Sequence, residues 1–259
     1  MIKEMINNGL ERIGYKVIRL RKYLLDMGDH QLFRLGTRKG FGYEEAVKFL
    51  LRLDVGLETP MREASIPEKS LHYLERFFSS YFPSDKPIIA LHIGNFVGIS
   101  LVWAADYFKR IHQDSLVVSI DPNLTHRGIS DPLKAVVKLT NYYHLQKNIL
   151  FLVGYSLEKT VGLDTGEGMA FENTLENLTL LSKGRYDVAF VDGHHQAAYV
   201  SKELGHLFHL LKEGGIVVMD DVDEFWQART GLKDVYDKVD EEKFVKEQTD
   251  GRVGILRKR

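Results

Sequence analysis

The 259 residues contain no cysteine, which excludes disulfide frameworks, thiolate metal sites and cysteine nucleophiles. Lack of cysteine suits the cytosol without fixing the compartment. A charge excess of one sign is also missing: 35 Lys and Arg stand against 36 Asp and Glu, for a formal net charge of -1. The overall field is therefore not that of a protein held on nucleic acid, and any electrostatic partner has to meet a local patch. No stretch reaches the roughly 18 to 20 apolar residues of a membrane span, and the first 25 or so lack the short apolar core of a signal peptide. A non-exported, cytoplasmic chain is expected. Internal repeats and low-complexity tracts are absent too, so the length fits one large α/β domain with an appended helical segment.

What is present begins with Ile6, Leu10, Ile13, Val17, Leu20 and Leu24, spaced by fours and threes as one stripe of a helix. Lys3, Arg12, Lys16, Arg19, Arg21 and Lys22 flank it. Such a helix either rests on an anionic membrane surface or a partner, or docks on the main domain or in a dimer seam with its cations in water. Peripheral membrane or dimer contact through this helix stays open, with a homo-oligomer as the expected state. After the glycines at 36, 40 and 42, a helix is expected at 43–53. Ser65 and Glu68 form a capping-box pattern with Pro67 between them, ahead of an apolar helical face at Leu71, Leu74, Phe78 and Tyr81. Residues 1–64 are read as an N-terminal helical extension and 65–259 as the main domain.

Beyond Pro87 strands and helices alternate. Apolar runs at 88–94, 115–121 and 148–154 have strand length, and two more lie within RYDVAFVDGHHQAAYVSKELGHLFHLLKEGGIVVMDDVDE. A helix is expected near 225–239, and 243–259 reads as two strands across an Asp250-Gly251 turn. Five strands joined by helices imply a parallel, Rossmann-like sheet with an antiparallel C-terminal hairpin strand. Its carboxyl rim would gather Asp192, His194, His195, Asp220 and Asp221. Plainer readings stand beside this: Asp192-Gly193 as a turn, the histidines as solvated loop residues, and Asp220-Asp221 as a helix cap. Their joint occurrence at two neighbouring strand ends favours a site. His206 and His209 fall on a helix as packing or surface residues.

The first turn, Gly94-Asn95-Phe96-Val97-Gly98, lacks the middle glycine of a dinucleotide fingerprint. It still permits close approach of an anionic group to free backbone amides. Asp121 ends the second strand, where a carboxylate can hold ribose hydroxyls or simply form a turn.

The series ALHIGNFVGIS, SLVVSID, LFLVGYS, YDVAFVDG and GGIVVMDD, with its final hairpin, resembles the class I S-adenosylmethionine-dependent methyltransferases. Within them it resembles the metal-dependent O-methyltransferases, the catechol and caffeoyl-CoA types and more closely the macrocin-type sugar O-methyltransferases, over 65–259. The resemblance implies that Gly94, Asn95 and Gly98 wrap the methionyl part of S-adenosylmethionine, with Ser100 on its carboxylate. It implies Asp121 on the ribose and Ser156 near adenine. His92 stands where the family has an acid that recognises the cofactor's ammonium, a task that neighbouring Asp192 would share. Asp192, Asp220 and Asp221 would hold a divalent cation, usually magnesium, as hard oxygen ligands. His195 would be the base, with catalysis shared by Asp192.

The reading that follows is a divalent-metal-dependent transfer of a methyl group to a hydroxyl of a sugar, glycan precursor or glycosylated small molecule. Two others compete with it. His92 and the basic N-terminal helix motivate a decayed, methyltransferase-like scaffold protein. A metal-dependent hydroxylase on the same fold ranks last, because three aspartates suit redox iron poorly.

Overall fold

The computed structural model describes residues 40–159 and 171–259. The expected helix over 6–24 lies outside them. Three helices come first: α1 (Tyr43–Arg52), α2 (Glu58–Glu63) and α3 (Glu68–Tyr81). α1 buries Tyr43, Ala46, Val47, Phe49 and Leu50 on one face. α2 is too short for its periodicity to be read. The expected capping box does not form. Pro67 disfavours a helical conformation at Ile66, so α3 begins at Glu68 without a side-chain cap. Ser65 Oγ instead donates to the Met61 carbonyl at 2.8 Å, satisfying the end of α2.

Strands and helices then alternate through β1 (Ile89–Ile93), α4 (Ile99–Ile111), β2 (Leu116–Asp121), α5 (Pro132–Tyr142) and β3 (Ile149–Val153). α6 (Thr174–Ser182), β4 (Tyr186–Val191), α7 (Ala197–Leu210) and β5 (Leu211–Met219) follow. α8 (Glu224–Thr230), α9 (Leu232–Asp237), β6 (Phe244–Thr249) and β7 (Gly254–Lys258) close the chain. The single helix expected at 225–239 is divided because Gly231, at φ 70°, ends α8 in the left-handed region.

The strands form one sheet in the order β3-β2-β1-β4-β5-β7-β6. β1 to β5 run parallel, and β7 lies antiparallel between β5 and β6. This is the mostly parallel, Rossmann-like architecture with an antiparallel hairpin strand. β2 and β3 extend to one side of β1, and β4 and β5 to the other, so the winding reverses at the β1/β4 seam. Open α/β sheets hold ligands at such a seam. Register aligns the rim: Ile93 pairs with Ile120 and with Val191, and Val191 pairs with Met219. The residues one step beyond, Gly94, Asp121, Asp192 and Asp220, therefore share one row.

Alternation along the strands builds two apolar layers. Ala90, Val117, Val188, Phe190, Ile216, Val218 and Ile255 belong to one, with α1, α3, α4 and α5. Phe78 is its hub, with ring centroids 6.4 Å from Trp103, 5.5 Å from Phe108 and 6.1 Å from Phe190. Leu91, Ile93, Ile120, Ala189, Val191, Val217 and Met219 belong to the other, beneath α6, α7 and α9. The compact unit runs from Gly40 to Arg259, so α1 and α2, which precede Ser65, contribute to the same core. Among the described residues, no helix is long and apolar enough to cross a membrane.

Candidate active site

The turn after β1 is shaped by backbone contacts. Gly94 has φ 88°, and a Cβ there would lie 2.0 Å from the Asp192 carbonyl oxygen. Only glycine lets the ends of β1 and β4 approach this closely. Asp121 organises the same turn from the end of β2: Oδ2 accepts the Asn95 amide at 2.5 Å, and Oδ1 accepts the Asn123 amide at 2.5 Å. The turn-forming role is thus realised. With the Phe96 amide as a third donor, the carboxylate retains one lone pair for a ligand hydroxyl. Asn95 presents backbone rather than side chain, since its buried Oδ1 accepts from Ser119 Oγ at 2.9 Å. Gly98, at φ 86°, is the N-cap of α4, and Ser100 lies in its first turn.

His92 does not join this rim. Side chains of β1 alternate, so His92 points into the core beside Phe190, at a centroid distance of 5.2 Å and 0% exposure. Burial pushes its pKa down to about 3, so the ring is neutral. Its ring therefore faces the core and not the turn where the resemblance implied a cofactor contact.

The acids at the ends of β4 and β5 do converge, and with them comes a cation that sequence reasoning missed. Arg252 Nε donates to Asp220 Oδ1 and Nη2 to Asp220 Oδ2, each at 2.8 Å. Nη2 also lies 2.7 Å from Asp221 Oδ1. His195 completes the cluster: Nδ1 is 2.8 Å from Asp221 Oδ2, and Nε2 is 3.7 Å from Asp192 Oδ1. Asp192 Oδ2 accepts from Ser100 Oγ at 3.3 Å, linking the first turn of α4 to the cluster.

Electrostatics follow from burial and proximity. Burial, then the charges of Asp220 and Asp221, push the Asp192 carboxyl well above the usual carboxylate range. Burial likewise raises Asp220, against the pull of Arg252. For His195 burial works against the charged form, but the Asp221 carboxylate outweighs it, with Asp220 adding to the effect, and holds the imidazole above its ordinary value. His194 turns away and stacks on Tyr199 at 4.4 Å.

At the turn after β3, Ser156 is buried and donates to Glu203 Oε1 at 2.5 Å. Glu203, from α7, is wholly buried, and its Oε2 has no hydrogen-bond partner. Burial raises its pKa to about 7. Nothing in the helical spacing of α7 marked this carboxyl. Arg252 had a usable signal: a hairpin strand antiparallel to β5 must turn at the carboxyl rim, and Met219 pairing with Gly254 puts residues 250–253 there.

No curated protein matches the chain in sequence. Among solved structures, an O-methyltransferase from Bacillus cereus in complex with S-adenosylhomocysteine aligns at TM-score 0.55 and 14% identity, covering 89% of this chain and 96% of its own. An S-adenosylhomocysteine-bound methyltransferase of Podospora anserina aligns at TM-score 0.55 and 14% identity, covering 95% of this chain and 99% of its own. At such identities the likeness is one of fold. The family model described as a methyltransferase domain matches residues 91–222, half of the chain, from within β1 to just past β5. The shared sheet, its reversal at β1/β4 and this match carry one conclusion: the chain belongs to the methyltransferase domain family.

Proposed function

We propose that this methyltransferase moves the methyl group of S-adenosylmethionine to a hydroxyl group, with His195 as the base. The observation that carries the reading is the position of Asp192. It lies between Ser100, at the start of α4, and His195, so it bridges the expected donor turn and the expected base. The backbone amides of the Gly94–Gly98 turn suit the methionyl carboxylate, and Asp121 suits the ribose. Both solved neighbours described above hold the demethylated product in their own sites.

In this reading Asp221 holds His195 by Nδ1, leaving Nε2 to take the acceptor's proton. The acceptor oxygen forms its bond to the sulfonium methyl as the carbon–sulfur bond breaks. Sulfur departs with the electron pair as S-adenosylhomocysteine. Preference for a sugar, glycan precursor or glycosylated small molecule rests on the resemblance to macrocin-type enzymes, whose base is also a histidine. The decayed-scaffold alternative is not favoured beside the methyltransferase-domain match over residues 91–222.

The divalent cation implied by that resemblance does not fit the acids as they stand. Both oxygens of Asp220 and one of Asp221 face Arg252, and the other Asp221 oxygen faces His195. Among the described residues, no group of three or more His, Asp or Glu is arranged to hold a metal ion.

The test is transfer of a labelled methyl group from S-adenosylmethionine to a panel of glycosides, sugar nucleotides and catechols. His195→Ala is expected to abolish turnover with S-adenosylmethionine affinity nearly unchanged. Equal turnover would remove His195 from the base role.

A further inference from the structure

A rim with three carboxylates needs positive charge, and in this chain the charge is covalently attached. Asp250 Oδ1 accepts the backbone amides of Arg252 at 2.9 Å and Val253 at 2.8 Å, which locks the hairpin turn. The Arg252 carbonyl accepts from the Val222 amide at 3.1 Å, tying that turn to the chain just after Asp221. The side chain is 14% exposed, and its guanidinium lies 5.7 Å from the centre of the Trp226 ring. Its fork meets Asp220 through two near-parallel bonds, the geometry in which a buried pair offsets its desolvation.

We propose that Arg252 takes the place of a divalent cation in this enzyme. It is a positioning residue: it fixes Asp220 and Asp221 behind His195 and keeps metal out of the cluster. A guanidinium carries permanent charge but cannot accept a ligand's electron pair. The acceptor hydroxyl is therefore activated by His195 alone, and no metal is required. Removing the guanidinium leaves Asp192, Asp220 and Asp221 as buried oxygen donors around a vacated space, the donor set that magnesium and manganese take. The role in activation rests on the methyl-transfer reading, whereas exclusion of metal stands apart from it.

The test is calorimetric titration of full-length wild type, Arg252→Ala, Arg252→Lys and Asp220→Asn with manganese chloride. Wild type and Arg252→Lys are expected to show no saturable binding at the cluster. Arg252→Ala is expected to gain saturable manganese binding, at least about ten-fold above the weakest affinity the titration detects, and to be stabilised by it against heating. Manganese binding by wild type that is lost in Asp220→Asn would overturn the proposal. So would a folded Arg252→Ala that gains no affinity. If Arg252→Ala does not fold, the comparison of wild type with Asp220→Asn still decides. Titration with S-adenosylmethionine in excess EDTA reads the donor site separately: failure there sinks the methyl-transfer reading and leaves the manganese result standing.

Discussion

Glu203→Gln exchanges a buried acid for its neutral isostere. The wild-type carboxyl is 0% exposed, has one hydrogen bond, from Ser156, and is raised from 4.5 to about 7 by burial. A folded-state pKa above the unfolded one means that the native protein binds this proton more tightly. The associated stability is fully present below pH 4.5 and is lost as pH rises through about 7. A difference of about 2.5 units corresponds to about 3 kcal/mol in total, of which about 2.5 kcal/mol disappears between pH 5 and pH 8. Glutamine does not titrate, so the difference in Tm between variant and wild type isolates this group from all others. That difference is expected to move in the variant's favour by roughly 5 to 10 °C from pH 5 to pH 8, at about 2 to 4 °C per kcal/mol for a chain of this size. Differential scanning fluorimetry at half-unit pH steps measures it. A flat difference would show that Glu203 ionises freely and that its burial carries no such cost.

Asp221→Asn removes the carboxylate that holds His195 above its ordinary pKa. The acid limb of the kcat/KM profile is expected to move to lower pH, while Asp192, Asp220 and Arg252 beside the ring, and the nearby His126 and His194, still act on its charge. An unmoved limb would detach that limb from His195. Gly94→Ala puts a Cβ 2.0 Å from the Asp192 carbonyl at φ 88°. A destabilisation of at least about 2 kcal/mol is expected from strain and overpacking, read as a fall in Tm of roughly 5 °C or more. Unchanged stability would mean that the β1/β4 seam yields easily. Phe78→Ala empties the aromatic hub and is expected to cost about 3 to 5 kcal/mol in chemical denaturation, with a loss below about 1 kcal/mol contradicting its place in the core.

The parallel sheet was legible because its central strands are buried on both faces, so IALHI, LVVSID, YDVAFV and GGIVVM stand out as mostly apolar runs of strand length. Once those strands are placed, the rim acids follow from register alone. Local backbone competition was harder to read. Pro67 shifts the start of α3 past the capping pattern, and Gly231 cuts one helix into two. Side-chain direction misled at His92, which a two-residue offset from Gly94 assigns to a ligand but strand alternation sends into the core. Arg252 escaped because its partners lie 31 and 32 residues away on another strand end. Glu203 escaped because helical spacing does not distinguish a buried carboxyl from a surface one.

Methyl-donor binding is the most direct test of the account. Isothermal titration of the full chain with S-adenosylmethionine, in excess EDTA, is expected to show saturable binding at one site per chain. Asp121→Ala, which frees the turn and removes the ribose acceptor, is expected to weaken it at least about ten-fold. No binding by wild type, or undiminished binding by Asp121→Ala, would contradict a donor site on the turn between β1 and α4.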